Sequence, residues 1–314
     1  MSETSPARPA APGLASRLST ALFHHRLLAV WLLLTPPLLW LGVVYLGSLL
    51  ALVWQSVYRF DDFSMVVTPD VTWANYRALF RAANFDIVVR TLGMAAAVTL
   101  GTGLLGFPIA YYLARYTRGA AKGALYVSVM LPMWVSYIVK AYAWTLLLAQ
   151  GGVIYWFADL LGLRGLLEGV LALPVIGGNS LATSNLGRFL VLTYVWLPFM
   201  VLPIYAAVER VPESLLHASA DLGARPWQTF RTVILPLTFP GVVAGSIFTF
   251  SLTLGDYIIP QLIGPPGYYI GTMVVAQQGT VGNLPMAAAF TAVPIVIIAV
   301  YLVLARRLGA FDAL

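Results

Sequence analysis

Long runs without charge constrain this chain more than any other feature. Leu27 to Tyr58 is 32 positions without Asp, Glu, Lys or Arg, and Thr91 to Ala114 is 24. Gly123 to Ala149 carries only Lys140, Phe189 to Val208 is a clean 20, and Thr232 to Gly255 is 24. After Asp256 no charge follows until Arg306. A helix needs about 20 apolar residues to cross ~30 Å of hydrocarbon. The runs therefore predict an all-α membrane protein with six spans, at about 28–57, 91–114, 123–149, 189–208, 239–262 and 284–305. These make a membrane domain over 27–308, with tails at 1–26 and 309–314 and a connecting loop at 209–238. The segment 160–187 has an apolar centre too short to cross, so an extramembrane or re-entrant segment is expected there.

Composition closes off the soluble classes. Hydrophobic residues are 60% of the chain and charged residues 10%, against about 45–50% and about 25% in soluble domains. Mean hydropathy is +0.84. A net charge of +6 in such a chain is a matter of where the bases sit, not a nucleic-acid footprint. With the amino terminus inside, 11 Lys and Arg fall on the cytoplasmic side and 6 outside, so both termini are expected in the cytoplasm. The Pro-, Ala- and Ser-rich first 26 residues are expected to be a disordered tail. The apolar run after them is too long for the core of a cleaved signal peptide. The absence of cysteine excludes disulfides, thiolate catalysis and Cys-based metal sites. His24, His25 and His217 have no second ligand at metal spacing.

The loop between the fourth and fifth spans carries the strongest pattern. Pro212 suits the first position of a helix, and Leu215, Leu216, Ala218, Ser219 and Leu222 form a narrow small-to-apolar face at helical spacing. Gly223 suits a left-handed helix end, and Pro226 the start of the next helix. The prediction is a helix of about ten residues, ~15 Å long, then a tight bend and a second helix returning to the membrane at Leu235-Pro236. Small residues permit close approach of a partner, and Asp221 and Arg225 offer charged anchors. The stretch from Glu213 to Ala224 lacks Lys and Arg, which argues against a helix resting on lipid.

On these residues the chain resembles the binding-protein-dependent ABC importer permeases. Their loop motif (Glu-Ala-Ala, three residues, Gly, nine residues, Ile, one residue, Leu-Pro) aligns with His217-Ala218-Ser219, Gly223 and Val233-Ile234-Leu235-Pro236. His217 stands where the family has Glu, and Val233 where it has Ile. Leu197-Pro-Phe-Met-Val-Leu-Pro-Ile-Tyr205, Leu235-Pro-Leu-Thr-Phe-Pro-Gly241 and Thr253-Leu-Gly-Asp-Tyr-Ile-Ile-Pro260 resemble the B-type permease of the spermidine/putrescine branch. The resemblance implies the type I (MetI-like) importer permease fold in a bacterial inner membrane. It implies a second, homologous C-type permease, two cytosolic ATPases and an extracytoplasmic solute-binding protein as partners. No cofactor is expected in this chain, which lacks a phosphate loop; ATP and Mg would sit on the ATPases. The residues implied in coupling are Glu213, Leu216, His217, Ala218, Ser219, Asp221, Leu222, Gly223, Arg225, Leu235 and Pro236. The cargo implied is a polyamine. An ABC permease for another small solute and an ion-coupled secondary carrier are the alternatives.

Two charges fall within spans, where each is costly. Lys140 lies 17 steps after Gly123 and Asp256 17 steps after Phe239, so both come at similar depth. Two readings stand: an ion pair between them or snorkelling, or an Asp256 that faces the translocation path and meets a cationic solute. Trp134, Tyr142 and Tyr257 are candidate path residues beside them, since aromatic faces attract ammonium groups at about 0.5–2 kcal/mol each. No intramembrane pair suited to hydrolysis is present, so the chain is not expected to be an enzyme.

Overall fold

A computed structural model describes residues 26–307; the expected tails at 1–26 and 309–314 lie outside the described residues, apart from Arg26. The chain divides into two compact units, one ending at Gln55 and one beginning at Ser56. In the first, α1 (Arg26–Leu39) runs through a π-helical stretch, Trp40–Leu46, into α2 (Gly47–Gln55). Pro36 and Pro37 sit inside α1, where each removes a backbone donor. None of the side chains described in this unit is buried. A helix apolar on every side is at home in lipid.

The second unit opens with an antiparallel hairpin, β1 (Tyr58–Asp61) and β2 (Val66–Val71), paired Arg59 to Thr68 and Asp61 to Val66. The Asp61 carboxylate closes its turn by accepting from Phe63 N–H (3.1 Å) and Ser64 Oγ (2.7 Å). Those bonds, the Ser64 hydroxyl first, hold its carboxyl below the usual value. In α3 (Ala74–Leu79), Asn75 Nδ2 donates to the carbonyls of Ser56 and Tyr58, both at 2.8 Å. The chain continues as α4 (Ala82–Arg115), α5 (Gly119–Trp134), α6 (Tyr137–Leu148), α7 (Val153–Leu160) and α8 (Arg164–Leu171). Next are α9 (Asn185–Glu209), α10 (Glu213–Asp221) and α11 (Pro226–Thr229), which passes through a π turn, Phe230–Ile234, into α12 (Leu235–Gly255). The last elements are α13 (Ile258–Leu262), α14 (Ile270–Val275) and α15 (Leu284–Arg307).

Among the described residues, six helical stretches are long and apolar enough to cross a membrane: 29–55, 82–115, 137–160, 185–209, 226–255 and 284–307. The second, third and fifth depart most from the sequence expectation, the fifth beginning at 226 rather than 239. The second helix begins at Ala82 rather than near 91, because Asp86 and Arg90 stand one turn apart and pair at 2.5 Å; an i,i+4 pair continues a helix. The expected third span, 123–149, breaks at Val135 and Ser136, whose backbone is extended. Pro132 has already removed one donor there. The stretch of crossing length and apolarity is Tyr137–Leu160, itself α6 and α7 joined through extended backbone at Ala149 and Gly152. The expected fifth span, 239–262, ends at Gly255, because Asp256 is extended and caps the separate α13.

The core lies between α4, α9 and α12. Val191, Leu192, Val195, Met200, Val201, Ile204 and Val208 of α9 are all buried. Gly241 and Gly245, one turn apart on α12, let its backbone approach α9. A Cβ on Gly241 would lie 2.5 Å from Ala207 Cβ and 2.6 Å from the Pro203 carbonyl. On Gly245 it would lie 2.8 Å from Met200 Sδ. This is the small-xxx-small packing that joins helices in membranes.

Candidate coupling surface and charged helix breaks

The loop after α9 is braced from the bundle side. Arg115, the last residue of α4, donates to the Val208 carbonyl (3.0 Å) and the Val211 carbonyl (2.5 Å). A cation there complements the carbonyl end of α9. Lys122 Nζ meets Glu209 Oε1 at 2.8 Å, and Tyr205 OH donates to the same oxygen at 2.9 Å. The Glu209 carboxylate raises the Lys122 ammonium above its usual value.

From this braced end α10 projects. Its first residue is Glu213, and Pro212 is the N-cap rather than the first helical position. Nine residues at 1.5 Å each make a helix ~13 Å long. It ends as the sequence predicts. Gly223 has φ +78°, its N–H donates to the Ala220 carbonyl (2.8 Å), and Ala224 N–H donates to the Ser219 carbonyl (3.1 Å). That pair of bonds is the Schellman closure, which a left-handed glycine permits. Arg225 and Pro226 then start α11, with Gln228 Oε1 accepting from Arg225 N–H at 2.7 Å. Ser219 Oγ and Thr229 Oγ1 are 2.9 Å apart and join the two helices across the bend. Leu235 and Pro236 are the first two residues of α12.

Exposed residues of this lever include Glu213, Leu215, His217, Ala218, Ala220, Asp221, Leu222 and Arg225. Leu216 and Ser219 are half-buried. Leu222 is 88% exposed and Trp227 68%, so the loop presents large apolar side chains that its own chain does not cover. No ion pair joins Asp221 to Arg225 among the described residues.

The two intramembrane charges do not pair with each other. Asp256 is 8% exposed. Tyr137 OH donates to its Oδ2, and the N–H groups of Ile258 and Ile259 reach Oδ1 at 3.0 and 3.4 Å. Lys140 is 9% exposed, and its Nζ donates to the Pro132 carbonyl at 2.6 Å, one of the carbonyls freed where α5 breaks from α6. A carboxylate thus sits on the amino end of α13 and an ammonium on the carbonyl end of α5. Both complement the helix dipole, and broken helices buried in a membrane need such partners. Tyr137 links the two breaks: its ring lies 5.7 Å from Lys140 Nζ and stacks on Trp196 at 5.7 Å. Trp134, Tyr142 and Tyr257 are exposed on the single chain, Trp134 by 73%.

Arg188 is one of the six bases counted outside, and the sequence alone assigns it no other role. It is 1% exposed. Its Nε donates to the Ile263 carbonyl (2.8 Å), Nη2 to the carbonyls of Pro265 (3.1 Å) and Pro260 (3.3 Å), and Nη1 to Asn185 Oδ1 (3.2 Å). Its guanidinium lies 4.3 Å from the Tyr269 ring centre. The available signal was an arginine opening a 20-residue apolar run in a chain with a Gly-Pro-Pro-Gly loop.

This geometry has known relatives. Residues 106–311 match the family described as "Binding-protein-dependent transport system inner membrane component". The chain belongs to this family. It is 64% identical over 306 residues to the inner membrane ABC transporter permease protein YdcU of Escherichia coli K12, covering 98% of this chain and 97% of that one. It is 30% identical over 254 residues to the spermidine/putrescine transport system permease protein PotB of the same organism, covering 80% and 86%. In fold it is similar to a bacterial ABC transporter involved in the import of the acidic polysaccharide alginate (TM-score 0.67, 17% identity, 93% of this chain and 99% of that one). The chain is therefore a multi-pass inner-membrane permease subunit of an ABC importer for a small solute.

Proposed function

We propose that this permease moves a polyamine such as spermidine or putrescine into the cytoplasm, driven by ATPase subunits that grip α10. The observation carrying the coupling role is α10 itself: a short helix closed by Gly223, joined to α11 through Ser219 and Thr229, and exposed along His217, Ala218, Asp221 and Leu222. A short rigid element between two membrane helices passes a displacement at its exposed face to both of them. The excess of Lys and Arg at this end, 11 against 6, supports placing it in the cytoplasm.

In this reading two cytosolic ATPases bind ATP and Mg, and their closure biases the permease between inward- and outward-open states. A second permease, a homologous C-type chain, completes the path, and an extracytoplasmic binding protein delivers the solute. The polyamine assignment rests on the similarity to PotB and on exposed aromatic side chains at Trp134, Tyr142 and Tyr257, whose faces suit ammonium groups. Asp256 and Lys140 are each already partnered at a helix break.

The test is uptake in proteoliposomes holding this permease, its ATPase and its binding protein. Labelled spermidine or putrescine should accumulate only with a hydrolysis-competent ATPase. Accumulation with a hydrolysis-dead ATPase contradicts the coupling role. A binding protein that retains a different solute contradicts the cargo and leaves the coupling intact.

A further inference from the structure

We propose that Arg188 is the positioning residue that ties the far end of α9 to the end of α13 and the loop 263–267 after it, so that a displacement of α10 reaches that loop. The proposal rests on the coupling role assigned above to α10. Three observations carry it.

The first is the path. α9 runs unbroken from Asn185 to Glu209. One end is three residues from α10 and is held by Arg115 and Lys122. Arg188 lies one turn inside the other end. At 1.5 Å per residue the 21 steps from Arg188 to Glu209 span about 32 Å, the thickness of the hydrocarbon layer.

The second is the bond set. Arg188 is nearly sealed from solvent and makes no ion pair among the described residues. A buried cation without an acid is retained only where other groups compensate it. Here the groups are the backbone carbonyls of Pro260 in α13 and of Ile263 and Pro265 in the loop that follows it, with Asn185 Oδ1 and the face of Tyr269. Hydrogen bonds to charged donors are the strong ones. The loop residues make these contacts through their backbone, so Arg188 fixes loop position rather than any one side chain.

The third is fit. Gly264, at φ +106°, leaves room for the guanidinium: a Cβ there would lie 2.5 Å from Arg188 Cζ. Its N–H donates to the Ala182 carbonyl at 2.8 Å. The loop follows α13, which Asp256 separates from the end of the fifth crossing at Gly255, and it borders an open cleft of about 350 Å³ that includes Gln261, Thr272 and Thr280. A loop pinned to α9 moves when α9 moves, and with it the mouth of this cleft.

Arg188→Lys keeps the charge and removes the fork that spans three carbonyls. The full assembly of permeases, ATPases and binding protein should still form and hydrolyse ATP at its basal rate. Stimulation of hydrolysis by loaded binding protein should fall at least fivefold, and a spin label at Gln261→Cys should lose its response to ATP. Gly264→Ala keeps the arginine and displaces the loop, and should give the same two losses. Stimulation within twofold of the parent in both variants overturns the proposal. Loss of assembly in both also overturns it, since Arg188 would then serve folding and not coupling. If the unaltered chain shows no ATPase association, the coupling role of α10 fails first, and the fault is not in Arg188.

Discussion

Replacing Gly223 by valine tests the helix end at its most exact point. Nothing lies within 4 Å of a Cβ built on Gly223, so the substitution meets no steric wall. The cost is conformational. An L-residue at φ +78° gives up about 1–2 kcal/mol in the left-handed region, and a β-branched one fares worst there. If the backbone flips to escape, the Gly223 and Ala224 N–H bonds to the Ala220 and Ser219 carbonyls are lost, at about 0.5–1.5 kcal/mol each. One or two kcal/mol changes a population ratio by roughly 5–30-fold. The expected result in proteoliposomes is a 5- to 30-fold fall in solute taken up per ATP hydrolysed, with the ATPases still bound. Gly223→Asn should recover most of the loss, because Asn tolerates the left-handed region. Equal coupling in the valine variant, or an asparagine variant as poor as valine, refutes the reasoning.

Gly245→Val pushes a side chain against Met200 Cα and its carbonyl, both 3.0 Å from the Cβ position, and should destabilise by about 1–3 kcal/mol. A lower thermal midpoint in detergent checks this, with Gly93→Ala, which meets nothing within 4 Å, expected to show no fall. Tyr137→Phe and Asp256→Asn remove two ends of one hydrogen bond, so their effects on stability should be non-additive by about 0.5–3 kcal/mol in a double-mutant cycle. A purely additive result places the Asp256 carboxylate elsewhere. Arg115→Ala uncovers the Val208 and Val211 carbonyls and should cost about 1.5–3 kcal/mol. Lys122→Ala, at a pair 31% and 50% exposed, should cost under about 1 kcal/mol; denaturation of the two variants side by side checks the order.

The membrane class and the number of crossings were legible because a crossing demands about 20 apolar residues, and few other folds leave runs such as 189–208 uncharged. The lever was legible for a different reason. Pro212, Gly223 and Pro226 each mark a backbone geometry, and those geometries are local. The helix ends were less legible where a charge has a partner invisible in one dimension. Asp86 and Arg90 look like the border of a span, yet they pair within α4. Lys140 and Asp256 look like intruders within spans, yet each compensates a helix break whose position depends on the fold. Arg188 was hidden by sequence distance: its acceptors at Pro260, Ile263 and Pro265 lie 72, 75 and 77 residues away. Trp134, Tyr142 and Tyr257 are exposed, and no partner for them could be read from the sequence.

The chain has no cysteine, which makes a direct test of the lever simple. Ala218→Cys places one thiol on the exposed face of α10, to be paired with single cysteines in the groove of the ATPase subunit. An oxidative cross-link between the two chains, formed in good yield and changing with ATP, is the predicted result. A thiol that remains accessible to water-soluble reagents in the working assembly and joins no ATPase would contradict the account.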